Sequence, residues 1–101
     1  MTIVEVTNYF ARDGQRPAVL EQRRRASAIR RELGLTPGEI FVLLEGKGPD
    51  VRWECRFASR ETYEADLAVR ARSEAFVQAR QLMHTLLDRF ERHVYAMDET
   101  G

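Results

Sequence analysis

The sequence predicts an α+β fold, an antiparallel sheet with helices on one face. Three observations predict it. β-Branched and aromatic stretches alternate with amphipathic ones in the order strand, helix, strand, strand, helix, strand. Gly46-Lys47-Gly48-Pro49-Asp50 lies between the two middle strands as a hairpin loop, which makes that pair antiparallel. The stretch from Val51 to Phe76 reads as a strand, a helix start at Ser59, a short helix and a second start at Ser73, so the second helical unit comes in two pieces.

Thr2 to Phe10 forms the first strand and stops at the turn signal Arg12-Asp13-Gly14. Alternation puts Val4, Val6, Asn8 and Phe10 on one face and Ile3, Glu5, Thr7 and Tyr9 on the other. The first set is apolar except for Asn8, so it is expected to face the core. Pro17 suits the first turn of a helix that runs to about Leu33, with Gly34 as its stop. Its apolar face gathers Ala18, Val19, Gln22, Ala26, Ile29 and Leu33. Arg23, Arg24, Arg30 and Arg31 fall on the opposite side with Ser27 and are expected to face water.

Glu39 to Glu45 is apolar in both alternating sets, the pattern of a strand covered on both faces. Val51 to Ala58 divides cleanly, with Val51, Trp53, Cys55 and Phe57 on one side and Arg52, Glu54 and Arg56 on the other. Ser59 is an N-cap candidate with Glu61 in the first turn behind it. Tyr63 and Leu67 share the inner face of that helix, and Asp66 can pair with Arg70 one turn on. Ser73 and Glu74 open the last helix, whose apolar face is Phe76, Ala79, Met83, Leu86, Leu87 and Phe90. A closing strand is expected from about His93 to Met97, with a helix tail as the alternative for residues 91–97.

The plan is therefore ferredoxin-like, β-α-β-β-α-β. One helix layer leaves the other sheet face open, and Ile3, Tyr9, Phe41 and Leu43 make that face too apolar for water. A second copy packed across a two-fold axis would cover it, so a homodimer through the open sheet face is expected.

A chain of 101 residues has room for a single domain, residues 1–101, with one core. Sixteen basic and 16 acidic side chains give zero net charge, which argues against a nucleic-acid or anionic-membrane binder. Cys55 is the only cysteine, so neither an internal disulfide nor a cysteine metal cluster is available. MTIVEVTNYF is not a secretory leader and no stretch is apolar enough to span a bilayer, so a cytoplasmic protein is expected. Nucleophile triads, glycine-rich phosphate loops and zinc spacings do not occur.

Asn8-Tyr9-Phe10 followed by Asp13-Gly14, Phe57-Ala58-Ser59 entering a helix, and Ser73-Glu74-Ala75-Phe76 carry a likeness over nearly the whole chain. The chain resembles the dimeric α+β barrel proteins, which include antibiotic-biosynthesis-type monooxygenases, haem-degrading monooxygenases and NIPSNAP-type domains. The resemblance implies a ligand cavity between helices and sheet in each subunit. The haem-degrading branch uses an Asn on the first strand, a Trp before the Ser that opens the middle helix, and a His on the last helix. Asn8 matches, but Phe57 stands at the Trp position and Arg80 at the His position, so no haem of that type and no other cofactor is expected.

Asn8, Gln22, Trp53, Phe57, Phe76, Arg80 and His84 are the candidate pocket residues, apolar walls with a few aimed polar groups. No metal site and no catalytic residue is nominated. The expected function is binding of a small, partly aromatic organic molecule, with cofactor-independent monooxygenation as the chemistry that the resemblance implies. The alternative is a non-catalytic dimeric NIPSNAP-like module with a filled core. A third reading, anion binding on the exposed arginine face of the first helix, is weakened by the zero net charge.

Overall fold

The computed structural model describes residues 1–101. Its elements are β1 (Ile3–Ala11), α1 (Arg16–Glu32), β2 (Glu39–Val42), β3 (Val51–Phe57), α2 (Arg60–Ala71), α3 (Glu74–Thr85) and β4 (Leu87–Ala96). The sheet order is β2-β3-β1-β4, antiparallel throughout, with β1 held between β3 and β4. All three helices cover one face, and the molecule is 18 Å through its shortest dimension, the thickness of one sheet and one helix layer. No helix is long and apolar enough to cross a membrane.

The helix starts follow from local chemistry. Ser59 Oγ accepts the Thr62 amide at 3.1 Å and Ser73 Oγ accepts the Phe76 amide at 3.1 Å, each satisfying an orphan donor of its first turn. α1 has no side-chain cap but carries Pro17 in its first turn, and Gly34 at φ 77° follows its last residues.

Three expectations are corrected. The last helix ends at Thr85, so Leu86, Leu87 and Phe90 are not on its face, and the closing strand begins at Leu87 rather than His93. Leu86 caps the helix, and Ala11 pairs with Leu87 across an irregularity that sets the rest of β4 in register with β1. β2 is a four-residue edge strand rather than a central one, bonded to β3 alone, and leaves Phe41 44% exposed. Ile40 on its inner side packs against the core, whereas Phe41 on the other side has no cover within one chain.

The third correction concerns the sense of β1. Ile3 and Tyr9 join Val51, Trp53, Cys55 and Phe57 in the core under the helices, with Val19, Tyr63, Met83 and Leu87. Val4, Asn8 and Phe10 lie on the outer face with Phe41 of β2, Arg52 and Glu54 of β3, and Glu91, His93 and Tyr95 of β4. Both alternating sets of β1 are rich in apolar residues, so period-two patterning fixes the alternation but not which set turns inward. Glu5 takes its inward position because arginines neutralise it there.

Candidate functional site

Between α1, α3 and the β1–β4 half of the sheet lies a cavity of about 100 Å³. The floor is sheet: Glu5, Thr7 and Tyr9 of β1 and Trp53 of β3. Gln22, Arg23 and Ala26 of α1 form one wall, and Phe76, Ala79 and Met83 of α3 form the other. Arg80, His84, Phe90 and Arg92, all exposed, surround the mouth. The two walls are tied together where Gln22 Nε2–H donates to the Ala79 carbonyl at 2.9 Å, which satisfies the buried amide.

Five of the seven nominated residues meet here: Gln22, Trp53, Phe76, Arg80 and His84. Phe57 belongs to the core beside the cavity, edge-on to Tyr63 at 5.2 Å between ring centroids. Asn8 lies on the opposite face of the sheet, a consequence of the inverted sense of β1. Its buried Oδ1 has no hydrogen-bond partner within the chain.

The floor and walls also carry charges that the sequence reading left out. Glu5 is buried and receives Arg70 through two hydrogen bonds, Nη1 at 3.0 Å and Nη2 at 2.8 Å, with Arg92 Nε at 2.8 Å. Burial pushes the Glu5 carboxyl up, but the bonds and charges of Arg70 and Arg92 outweigh it and hold the group below its ordinary value. Arg92 also donates to the Tyr63 hydroxyl. Burial works against the charged form of Arg92, yet Glu5 and Tyr63 raise its pKa above the ordinary value.

Arg23 and Arg30 were expected in water and are instead among the most buried side chains, Arg23 4% and Arg30 0% exposed. Arg30 binds both oxygens of Asp66 and donates to the Thr36 carbonyl at 2.7 Å. Arg23 donates to Tyr9 Oη at 3.0 Å and to Ser27 Oγ at 3.4 Å. Their guanidinium carbons lie 4.5 Å (Arg23) and 5.0 Å (Arg30) from the centroid of the Trp53 ring, in cation–π range. The signal for this buried set was present in the chain: Arg23, Ser27 and Arg30 recur at i, i+4 and i+7, the spacing of an inward face.

Cys55 is buried in the core, where desolvation pushes its thiol up despite Arg30 nearby, so it packs as a small apolar group. No cluster of three His, Cys, Asp or Glu side chains is placed to hold a metal. Haem does not fit this donor set. Arg80 has no lone pair for an iron, and His84 packs edge-on against Phe90 at 4.6 Å between ring centroids.

No protein-family model matches the sequence, and no curated protein matches it. Solved structures do. A NIPSNAP family protein from Agrobacterium tumefaciens superposes with a TM-score of 0.77 at 18% identity, covering 99% of this chain and 89% of that one. A dimeric protein of unknown function and ferredoxin-like fold from Bacteroides fragilis gives 0.71 at 13% identity, covering 95% and 96%. The chain has the same ferredoxin-like fold. SnoaB, a cofactor-independent oxygenase from Streptomyces nogalater, shares this ferredoxin-like fold at a TM-score of 0.69 and 14% identity, covering 97% and 94%. At these identities the likeness extends to the ferredoxin-like backbone, and the chemistry of the cavity rests on this chain's own side chains.

Proposed function

We propose that the protein is a homodimer whose subunits each bind a small, partly aromatic organic molecule in the cavity between α1, α3 and the sheet. The observation that carries this reading is the cavity itself, walled by Trp53, Phe76 and Tyr9 and open to solvent beside Arg80 and His84. Its volume is below the ~150 Å³ of an apolar cavity that holds benzene. The enclosed part therefore takes one end of a ligand, and the remainder extends through the mouth. This space favours the binding reading over a non-catalytic module with a filled core.

The homodimer is supported by the outer sheet face. Phe41 and Tyr95 are exposed there, and Asn8 Oδ1 is buried without a donor. A second sheet laid on this face would cover the aromatics and bring polar groups to Asn8. The description of the Bacteroides fragilis protein as dimeric supports the same arrangement.

Cofactor-independent oxygenation is a second reading, favoured by the placing of Arg80 and His84 together at the mouth. The substrate's own carbanion would reduce molecular oxygen, with His84 accepting the substrate proton and Arg80 stabilising the anion formed.

The test is a thermal-shift screen with single-ring and polycyclic phenols and aromatic acids on wild type, Ala79→Leu, Arg80→Ala and Asn8→Ala. A ligand for the native state raises Tm by mass action. The cavity reading expects a shift that Ala79→Leu removes by filling the space and Arg80→Ala weakens, while Asn8→Ala keeps it. A shift unchanged in Ala79→Leu, or none with any compound, sinks the cavity reading. Oxygen uptake with a hit compound, lost in His84→Ala, separates the oxygenase from a binding protein.

A further inference from the structure

We infer that the inner end of the cavity is a carboxylate subsite with Arg23 as its anchor, so that the bound molecule is a small organic acid. This rests on the cavity being a ligand site and goes beyond it by fixing the charge of the ligand.

Arg23 differs from the other arginines between the helices and the sheet. Arg30 is paired with Asp66, Arg70 with Glu5 and Asp66, and Arg92 with Glu5. Arg23 has only the neutral Tyr9 and Ser27 hydroxyls, and its buried Nε–H meets no acceptor at all. A guanidinium out of water without a counter-charge is a costly arrangement unless something else supplies the negative charge. Contact with the Trp53 ring offsets part of that cost but is no substitute for an anion.

No side chain of this chain is free to serve. Glu5, the only carboxylate lining the cavity, is bonded by Arg70 and Arg92. Four arginines line the cavity (Arg23, Arg70, Arg80 and Arg92) against the single carboxylate of Glu5, so it is electropositive. The contact of Arg23 Nη2 with Ser27 is long at 3.4 Å, which leaves its fork, with the unpaired Nε–H, as the edge suited to the two oxygens of a carboxylate. The small enclosed volume takes the carboxylate end of the ligand, and Phe76 in the wall and Phe90 at the mouth are there for the organic body.

The experiment compares benzoate and phenylacetate with their neutral isosteres benzamide and phenylacetamide, by calorimetric titration of wild type, Arg23→Met, Arg23→Lys and Arg31→Met. The expected result is acids bound at least tenfold more tightly than amides by wild type. That preference should vanish in Arg23→Met, persist in part in Arg23→Lys and survive in Arg31→Met, an exposed arginine of α1 outside the cavity. Unliganded Arg23→Met should be no less stable to urea than wild type, because an unpaired buried charge has been removed. Equal binding of acids and amides by wild type overturns the anion subsite while leaving the cavity reading intact. A preference that persists in Arg23→Met moves the subsite away from Arg23 and overturns the assignment. Absence of binding by acids and amides alike overturns both readings, and the wild-type comparison stands even if a variant fails to fold.

Discussion

Arg30 of α1 grips Asp66 of α2 through Nη1 at 3.1 Å and Nη2 at 2.6 Å, with both side chains buried. This pair joins the two helices through residues 36 apart in sequence and connects through Arg70 to Glu5 on the sheet. Breaking one side of a buried pair strands the other charge. Asp66→Ala is therefore expected to lose roughly 3–5 kcal/mol, read from urea unfolding, while the matched Arg30→Met/Asp66→Leu double variant loses less than either single change. A double variant that simply sums the single losses would contradict this coupling.

Glu5 makes the fold sensitive to acid. Its folded-state carboxyl lies below the ordinary value of 4.5, so its contribution is fully present above that pH and fades as pH falls through the lower folded value. The urea midpoint of wild type should fall below pH 4.5, where Glu5 begins to take up protons. Glu5→Gln should be less stable at pH 7 and show a flatter decline over the same range. Parallel curves for the two proteins would remove Glu5 as the cause.

Gly38 is required where the chain passes Trp53. At φ +79°, a Cβ there would stand 2.6 Å from Trp53 Cε2 and 2.8 Å from the Glu54 carbonyl oxygen. Gly38→Ala should cost roughly 2–4 kcal/mol, combining a left-handed backbone penalty with a core clash. Gly14 has a similar φ of +77° with nothing within 4 Å, so Gly14→Ala should show the backbone part alone, about 1 kcal/mol. Equal losses at the two positions would mean that Trp53 yields without cost.

The outer sheet face predicts the state of assembly. Light scattering should give wild type twice the 11.7 kDa chain mass, and Phe41→Asp with Tyr95→Asp should shift it toward the single-chain value. A wild type that runs at single-chain mass at micromolar concentration would dismiss the homodimer.

Much of the fold was legible because its signals are local. Ser59 and Ser73 cap the helices that they were expected to start, and the clean alternation of Val51, Trp53, Cys55 and Phe57 marks the core side of β3. What failed depends on partners distant in sequence. Nothing within β1 says that Glu5 will meet Arg70 and Arg92, so its inward face read as outward. Arg23 and Arg30 read as solvated because they are charged, although each stands four residues after an apolar position, Val19 and Ala26; the groups that make their burial tolerable, Asp66 and Trp53, lie on other elements. The nominated pocket residues on α1, β3 and α3 converge, whereas Asn8 fell to the other face with the sense of its strand.

The place of β1 between β3 and β4 also bears on how the chain is made. Its first neighbour, β3, is some 50 residues downstream, and its second, β4, is about 85 residues downstream. On a ribosome β1 emerges early and stays unpaired on one edge until β4 has been synthesised. Of the charged partners of Glu5, Arg70 arrives with α2, 65 residues on, and Arg92 only with β4 itself, 87 residues on. Closure of the sheet is thus a late event in biosynthesis. Long-range pairing of this kind slows folding and prolongs exposure of an apolar strand, so the nascent chain gains most from a chaperone before β4 docks.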